Sequence, residues 1–301
     1  MKYYYGEKWG ILMTMSYSVQ ILEQHKFPRR IREIADPPKN MTFAGTIPPE
    51  EYKWLAVVGS RKYSNYGKEV CQSLISGLQG YPIIIVSGLA LGIDGIAHKS
   101  ALDAGLFTVG VPGSGLSPSV LYPRSHLGLA EEIIRCDGAL LSEFEPNFKA
   151  TPWSFPQRNR IMAGLSDAVL IIEAEEKSGT LITSKFATEY NRDVFTVPGS
   201  IFSTSSAGPH MLLRLGATPI RSSRDILDAF NLVQDSNPTA QKDYTDCTTD
   251  ERIILELLIN PMSRDEIAFE TKKPIYHINA TLSILEIKGF VSEYMGVISR
   301  S

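Results

Sequence analysis

Gln157-Arg158-Asn159-Arg160 places two guanidinium groups just ahead of the apolar run 168–172, which leads into Ser178-Gly179-Thr180. Arginine forks match the oxygens of phosphate, and backbone N–H groups at a helix N-terminus attract anions. The combination points to phosphate binding. Phe155 lies directly upstream, and an aromatic beside cations suits a base stacked between its flanking phosphates. Three more loops carry similar groups. Gly59-Ser60-Arg61 offers a close backbone approach, a hydroxyl and a guanidinium. Ser87-Gly88 begins a glycine-rich stretch running to Asp94, which is placed to cap a helix, and His98, read as a structural histidine. Gly113-Ser114-Gly115 is followed by Tyr122-Pro123-Arg124. Lys185 stands on the helix that Ser178-Gly179-Thr180 opens. No GxxxxGK[ST] phosphate loop occurs, and Glu143, Glu145 and Glu173 read as solvated or capping carboxylates with no acid–base pairing.

These loops need a frame. Short apolar runs at 55–58, 83–86, 107–111, 139–141, 168–172 and 194–197 have strand length and no polar alternation, as parallel strands covered on both faces require. Helix-length amphipathic segments lie between them; in one, Val70, Leu74 and Leu78 form a stripe. Strand–helix alternation means an α/β fold with a doubly wound, mostly parallel sheet. Ligands bind such sheets at the carboxyl ends of the strands, which gathers the glycine-bearing turns along one rim.

Residues 1–52 read as an irregular N-terminal arm, 53–230 as the α/β domain, 231–249 as a polar linker and 250–301 as a small domain. In the last, three short helices and a hairpin are expected. Ser263 and Glu266 form a capping box, Gly289 ends the third helix, and the chain turns back at Gly296. That is a winged-helix outline. Its eight Asp/Glu and six Lys/Arg leave a net −2, so a role in protein contact or regulation is expected of it before duplex reading.

Composition narrows the function. The 301 residues carry net charge −3, with 43% hydrophobic and 21% charged residues. A basic coat is excluded, so nucleic acid must be held by a local patch. Cys71, Cys136 and Cys247 lie far apart and form no metal-ligand spacing, so neither metal, cofactor nor disulfide is expected. The apolar stretch 11–19 is too short and polar to span a membrane and lacks a signal-peptide cleavage pattern. A cytoplasmic protein is expected, with no membrane partner.

In order along the chain stand GSR, SGLALGIDGIAH, PGSGL followed by YP, SEF, FPQRNRIMAGLS, IIEAEEKSGTLIT, R-x-VFTVPG and G-x-x-x-LLRLGA. Together they resemble the DNA-processing protein A (DprA, or Smf) family over roughly residues 27–220. The resemblance implies an extended Rossmann-like fold that binds single-stranded DNA. It also implies loading of RecA recombinase, from a homodimer, in natural transformation. It lines the DNA pocket with Gly59, Ser60, Arg61, Arg124, Phe155, Arg158, Asn159, Arg160, Ser178, Gly179, Thr180 and Lys185, with Ser87, Gly88 and Asp94 shaping the adjoining loop. Leu91 stands where many members carry Arg, and the helical N-terminal domain of many members is reduced to a short arm.

The alternative is a nucleotide-binding or nucleotide-hydrolysing protein. The nucleotide phosphoribohydrolases share the fold and carry PGGxGTxxE, whose Glu is catalytic. Thr183 occupies that Glu position here. A hydroxyl cannot supply a carboxylate's proton chemistry near neutral pH, so no enzyme is expected.

Overall fold

The computed structural model describes residues 17–232, 247–258, 262–294 and 297–300. The chain divides into two compact units, Met1–Val233 and Gln234–Ser301. The first is built on a nine-stranded sheet. Its strands are β1 (Gln20–Leu22), β2 (Met41–Gly45), β3 (Lys53–Val58), β4 (Ile83–Ser87), β5 (Phe107–Gly110), β6 (Ala139–Ser142), β7 (Ala168–Ile171), β8 (Asp193–Thr196) and β9 (Thr218–Pro219). Their order is β1-β2-β6-β5-β4-β3-β7-β8-β9. From β6 to β9 all pairs are parallel. Every apolar run read as a strand is one of these.

Among the described residues eight helices cover the sheet: α1 (Arg29–Arg32), α2 (Asn65–Ser76), α3 (Ile93–Asp103), α4 (Leu127–Arg135), α5 (Ser154–Leu165), α6 (Thr180–Glu189), α7 (Ala207–Arg214) and α8 (Ser223–Ala229). Alternate strand residues feed two cores. Trp54, Ala56, Val58, Ile84 and Val86 pack with Ile161, Met162 and Leu165 of α5. Leu55, Val57, Ile83 and Ile85 pack on the other face with Leu74, Ile75, Ile93 and Ala97. Burial on both faces explains why these strands lack polar alternation.

The topology fixes where a ligand can sit. Strands β3 to β6 are added in one direction, then the chain crosses back and places β7 beside β3. The crevice beyond the carboxyl ends of β3 and β7 is therefore the switch point, where doubly wound sheets bind ligands. The returning crossover contains α5, which begins at that rim and runs down to feed β7.

The segment read as an irregular arm is otherwise. Residues before 17 lie outside the described residues, but β2 extends the sheet antiparallel to β6 and β1 pairs with β2. Ile31, Phe27 and Met41 are buried in the core under α5. Arg30 donates from Nε and Nη2 to both oxygens of Asp167, each at 3.0 Å. Burying those side chains against α5 makes the segment part of the α/β unit.

In the second unit, α9 (Thr249–Leu257), α10 (Arg264–Thr271) and α11 (Ile275–Ile287) accompany β10 (Met262–Ser263), β11 (Val291–Tyr294) and β12 (Val297–Arg300). The strands form an antiparallel sheet in the order β10-β12-β11. Ile254, Ile267, Ile278, Leu282, Leu285 and Ile298 form its own core. Capping boxes at Thr248/Glu251 and Ser263/Glu266 start two of the helices. Gly289 follows the third at φ +70°, the left-handed turn that favours glycine. The turn expected at Gly296 and most of the expected linker (233–246) lie outside the described residues.

Candidate nucleic-acid interface

A cavity of about 720 Å³ opens at the switch point. Three turns make its floor and are tied to one another. Thr180 Oγ1 donates to the carbonyl of Gly59 at 3.2 Å. The Ile93 N–H donates to the carbonyl of Ser60 at 3.2 Å. Gly92, at φ +88°, presses its Cα on that same turn: a Cβ there would come 2.3 Å from the Ser60 oxygen. The turns after β3, β4 and β7 are thus joined to one another.

Helix α5 forms the opposite wall, through Phe155, Arg158, Asn159 and Met162. Arg61 is exposed and lies over the Phe155 ring, its guanidinium carbon 5.1 Å from the ring centroid. Tyr122 packs against Phe155 in a tilted arrangement, with centroids 5.6 Å apart. The ring is therefore fixed, and Arg61 is held by a cation–π contact worth about 0.5–1 kcal/mol at an exposed site. Among the described residues no hydrogen bond or ion pair engages the Arg61 guanidinium, and Lys62 lines the same cavity.

Arg158 is held differently. It is buried, and Nη1 donates to the carbonyls of Gly88 and Val111 at the ends of β4 and β5. Burial holds its guanidinium down to about 10, against the pull of Asp94, so it stays charged at neutral pH. Asp94 is buried beside it and accepts the Gly88 N–H at 3.0 Å. Burial pushes the Asp94 carboxyl up, while Arg158 and the N–H groups of Ala90 and Gly88 pull it down. Arg158 is thus a charged strut under the rim whose Nη1 is engaged by protein, while its buried Nε has no hydrogen-bond partner among the described residues.

The remaining expected residues divide. Asn159 donates to the Gly179 carbonyl at 3.3 Å and lines the cavity with Gly59, Ser60, Ser178, Gly179 and Thr180. Gly88 lines a small side cavity with Leu91, Tyr122 and Pro123. Ser87 is fully buried and donates to the Val57 carbonyl at 2.6 Å, which places it under the rim and not on it. Arg124 is exposed one residue beyond Pro123, outside the cavity lining. Lys185 faces outward on α6, 3.8 Å from Glu189.

Arg160 does not join Arg158. It is buried on the far side of α5, ion-paired with Glu143 and donating to the Asp36 carbonyl at 2.6 Å. Residues two apart on a helix do not share a face, so the two arginines of one motif serve separate sites. Glu143, read as solvated or capping, is the buried partner of this pair. Burial raises its carboxyl, with Arg160 opposing. Glu173 is also buried and does cap: it accepts the Ser64 N–H at 3.0 Å at the start of α2.

The backbone grip expected at α6 is narrower than its sequence implied. The N–H groups of Ser178, Thr180, Leu181 and Ile182 are used within the turn. Among the described residues, the Gly179 N–H remains without a protein partner. His98 is fully buried and bonds Thr108 through Nδ1 at 2.7 Å, the structural role expected of it. Sequence reasoning missed Lys62 and Met162. Lys62 adjoins Arg61, and Met162 stands one helical turn beyond Arg158, so a helical reading of 154–165 would have found it. Among the described residues no group of His, Cys, Asp or Glu is arranged to hold a metal ion. Among them, too, no helix is long and apolar enough to cross a membrane.

Fold and site together define a Rossmann-like α/β protein with a cation-flanked cavity at the switch point of its sheet. The chain belongs to the DNA recombination-mediator protein A family, whose sequence profile matches residues 18–231. It is 34% identical to Protein Smf of Escherichia coli over 277 residues, 90% of this chain and 74% of that protein. It is 41% identical to DNA processing protein DprA of Streptococcus pneumoniae over 204 residues, 68% of this chain and 71% of that one. The structure of the pneumococcal protein superposes with a TM-score of 0.64 at 37% identity, covering 71% of this chain and 74% of that chain. That of DNA processing protein A from Helicobacter pylori, described for its single-stranded DNA binding mode, gives 0.63 at 29% identity, covering 72% and 97%.

Proposed function

We propose that the chain is a single-stranded DNA-binding recombination mediator acting without catalysis. The observation that carries this reading is the pair Arg61 and Phe155: a free guanidinium over a fixed aromatic ring at the mouth of a cavity. Such a pair grips a phosphate and an adjacent base together, in any sequence. A duplex stacks its bases inside, so the ring selects for single strands. Described binding of single-stranded DNA by the Helicobacter pylori relative supports the same reading.

Membership of the family supports a reading of the partners. Protection of incoming strands and their transfer to RecA recombinase in natural transformation is the process a recombination mediator of this kind serves, and a homodimer is the assembly. Met211 and Leu215, 38% and 75% exposed on and just after α7, are apolar side chains open to a second copy. Non-catalysis is supported by Thr183, which is buried and carries no carboxylate.

The test is a titration of labelled single-stranded DNA against a matched duplex at two salt concentrations. Preferential, salt-sensitive binding of the single strand is expected. Equal affinity for both, or release of free base from nucleoside monophosphates at enzymatic turnover, overturns the proposal.

A further inference from the structure

A second cavity, of about 440 Å³, opens on the same rim between the ends of β7 and β8. It is lined by Ser64, Tyr66, Glu173, Pro198, Gly199, Ser200, Ser203 and Ser206. The turn from Ser60 to Ser64 separates it from the main cavity, and Lys62 of that turn lines the main cavity.

Its chemistry differs from its neighbour's. No Lys or Arg lines it, so a phosphate is not its ligand. Glu173 is satisfied, accepting from Ser64 Oγ at 2.5 Å, from the Ser64 N–H at 3.0 Å and from Ser205 Oγ at 2.9 Å. Ser206 is 6% exposed, and its hydroxyl has no hydrogen-bond partner among the described residues. Tyr66 is 49% exposed, yet its hydroxyl donates to the Pro198 carbonyl at 2.7 Å. The ring is thus pinned at both ends across the cavity edge. A half-exposed aromatic that is already immobile offers a stacking face at little ordering cost. The spare hydroxyl beside it can donate or accept.

We infer that this cavity is a second base subsite, in which the neighbouring nucleotide of the strand held at Phe155 stacks on Tyr66 and bonds the Ser206 hydroxyl, with Lys62 facing the phosphate between the two bases. This rests on the single-stranded DNA reading proposed above. A neutral, flat, hydrogen-bonding ring suits walls of tyrosine, proline and serine without a cation, and a nucleobase is such a ring. Base stacking is tolerant of sequence, so the subsite lengthens the footprint without adding strong sequence preference.

The test uses the full chain and a fluorescein-labelled oligothymidine, read by anisotropy across salt. Tyr66→Ala is expected to weaken binding about 5- to 150-fold, the loss of one stacked base, with the salt slope unchanged because no phosphate contact is lost. Tyr66→Phe keeps the ring and is expected to stay within about threefold of wild type. Photocrosslinking of the wild-type protein to iododeoxyuridine-substituted strand reads the same contact without any variant; a crosslink on the peptide holding Tyr66 is expected. Wild-type affinity in Tyr66→Ala, a shifted salt slope, or crosslinks confined to peptides of the main cavity overturns the subsite. If the wild-type chain binds no single strand at all, the functional proposal itself fails, which is a distinct result.

Discussion

Asp94 and Arg158 close on the same glycine from two sides. A Cβ at Gly88 would lie 2.1 Å from Arg158 Nη1 and 2.5 Å from Asp94 Oδ2, so only glycine lets both reach the ends of β4 and β5. The pair is a clamp on the rim. Asp94→Asn separates this account from simple electrostatics. Removing a negative charge beside a polyanion site should tighten DNA binding. Loosening the clamp should weaken it, by roughly 1.5–3 kcal/mol for a hydrogen bond to a charged group. Weaker binding of Asp94→Asn in an anisotropy titration is the expected result.

Gly88→Ala tests the same contact from the backbone side. The added methyl meets a guanidinium that is buried and pinned by two carbonyls, so it cannot be accommodated by a small shift. A stability loss of about 1–3 kcal/mol, as for overpacking elsewhere, should appear in urea unfolding, together with weakened binding.

Arg160 belongs to the scaffold. Arg160→Ala leaves Glu143 buried without its ion-pair partner, and breaking such a pair costs about 3–5 kcal/mol. Urea unfolding should show that loss. The folded fraction should still bind single-stranded DNA with wild-type salt dependence.

The parallel strands were legible in the sequence because burial on both faces writes an unbroken apolar run, and the rim was legible because four of those runs lead into turns bearing Gly59, Gly88, Gly113 and Gly199. The roles within 158–160 were not. They depend on the helical phase of α5, which turns Arg158 toward Gly88 and Arg160 toward Glu143, and the segment reads equally well as a basic turn. The strand β2 was missed because Thr42 and Gly45 break the apolar run of Met41–Gly45, and its partner β6 lies far away in sequence. The second cavity was invisible for a related reason: Tyr66, Glu173 and Ser206 meet only through the sheet order.

His98 sets an acid limit on the fold. Burial holds its ring down to about 3 from an ordinary 6.5. The unfolded chain therefore binds a proton that the folded chain refuses between those values. Stability from this residue is complete above 6.5 and falls as the pH drops, by at most about 1.4 kcal/mol per pH unit. Unfolding midpoints measured from pH 7.5 to 4.5 should decline, and less steeply in His98→Gln.

The central claim is that Arg61, held over Phe155, meets a phosphate of single-stranded DNA. The most direct measurement is the dependence of the binding constant on salt for wild type and Arg61→Ala. Each phosphate contact on a single strand contributes about 0.7 to the slope of log K against log salt. Arg61→Ala is expected to bind more weakly, with a slope shallower by about that amount. Wild-type affinity and slope in Arg61→Ala would contradict it.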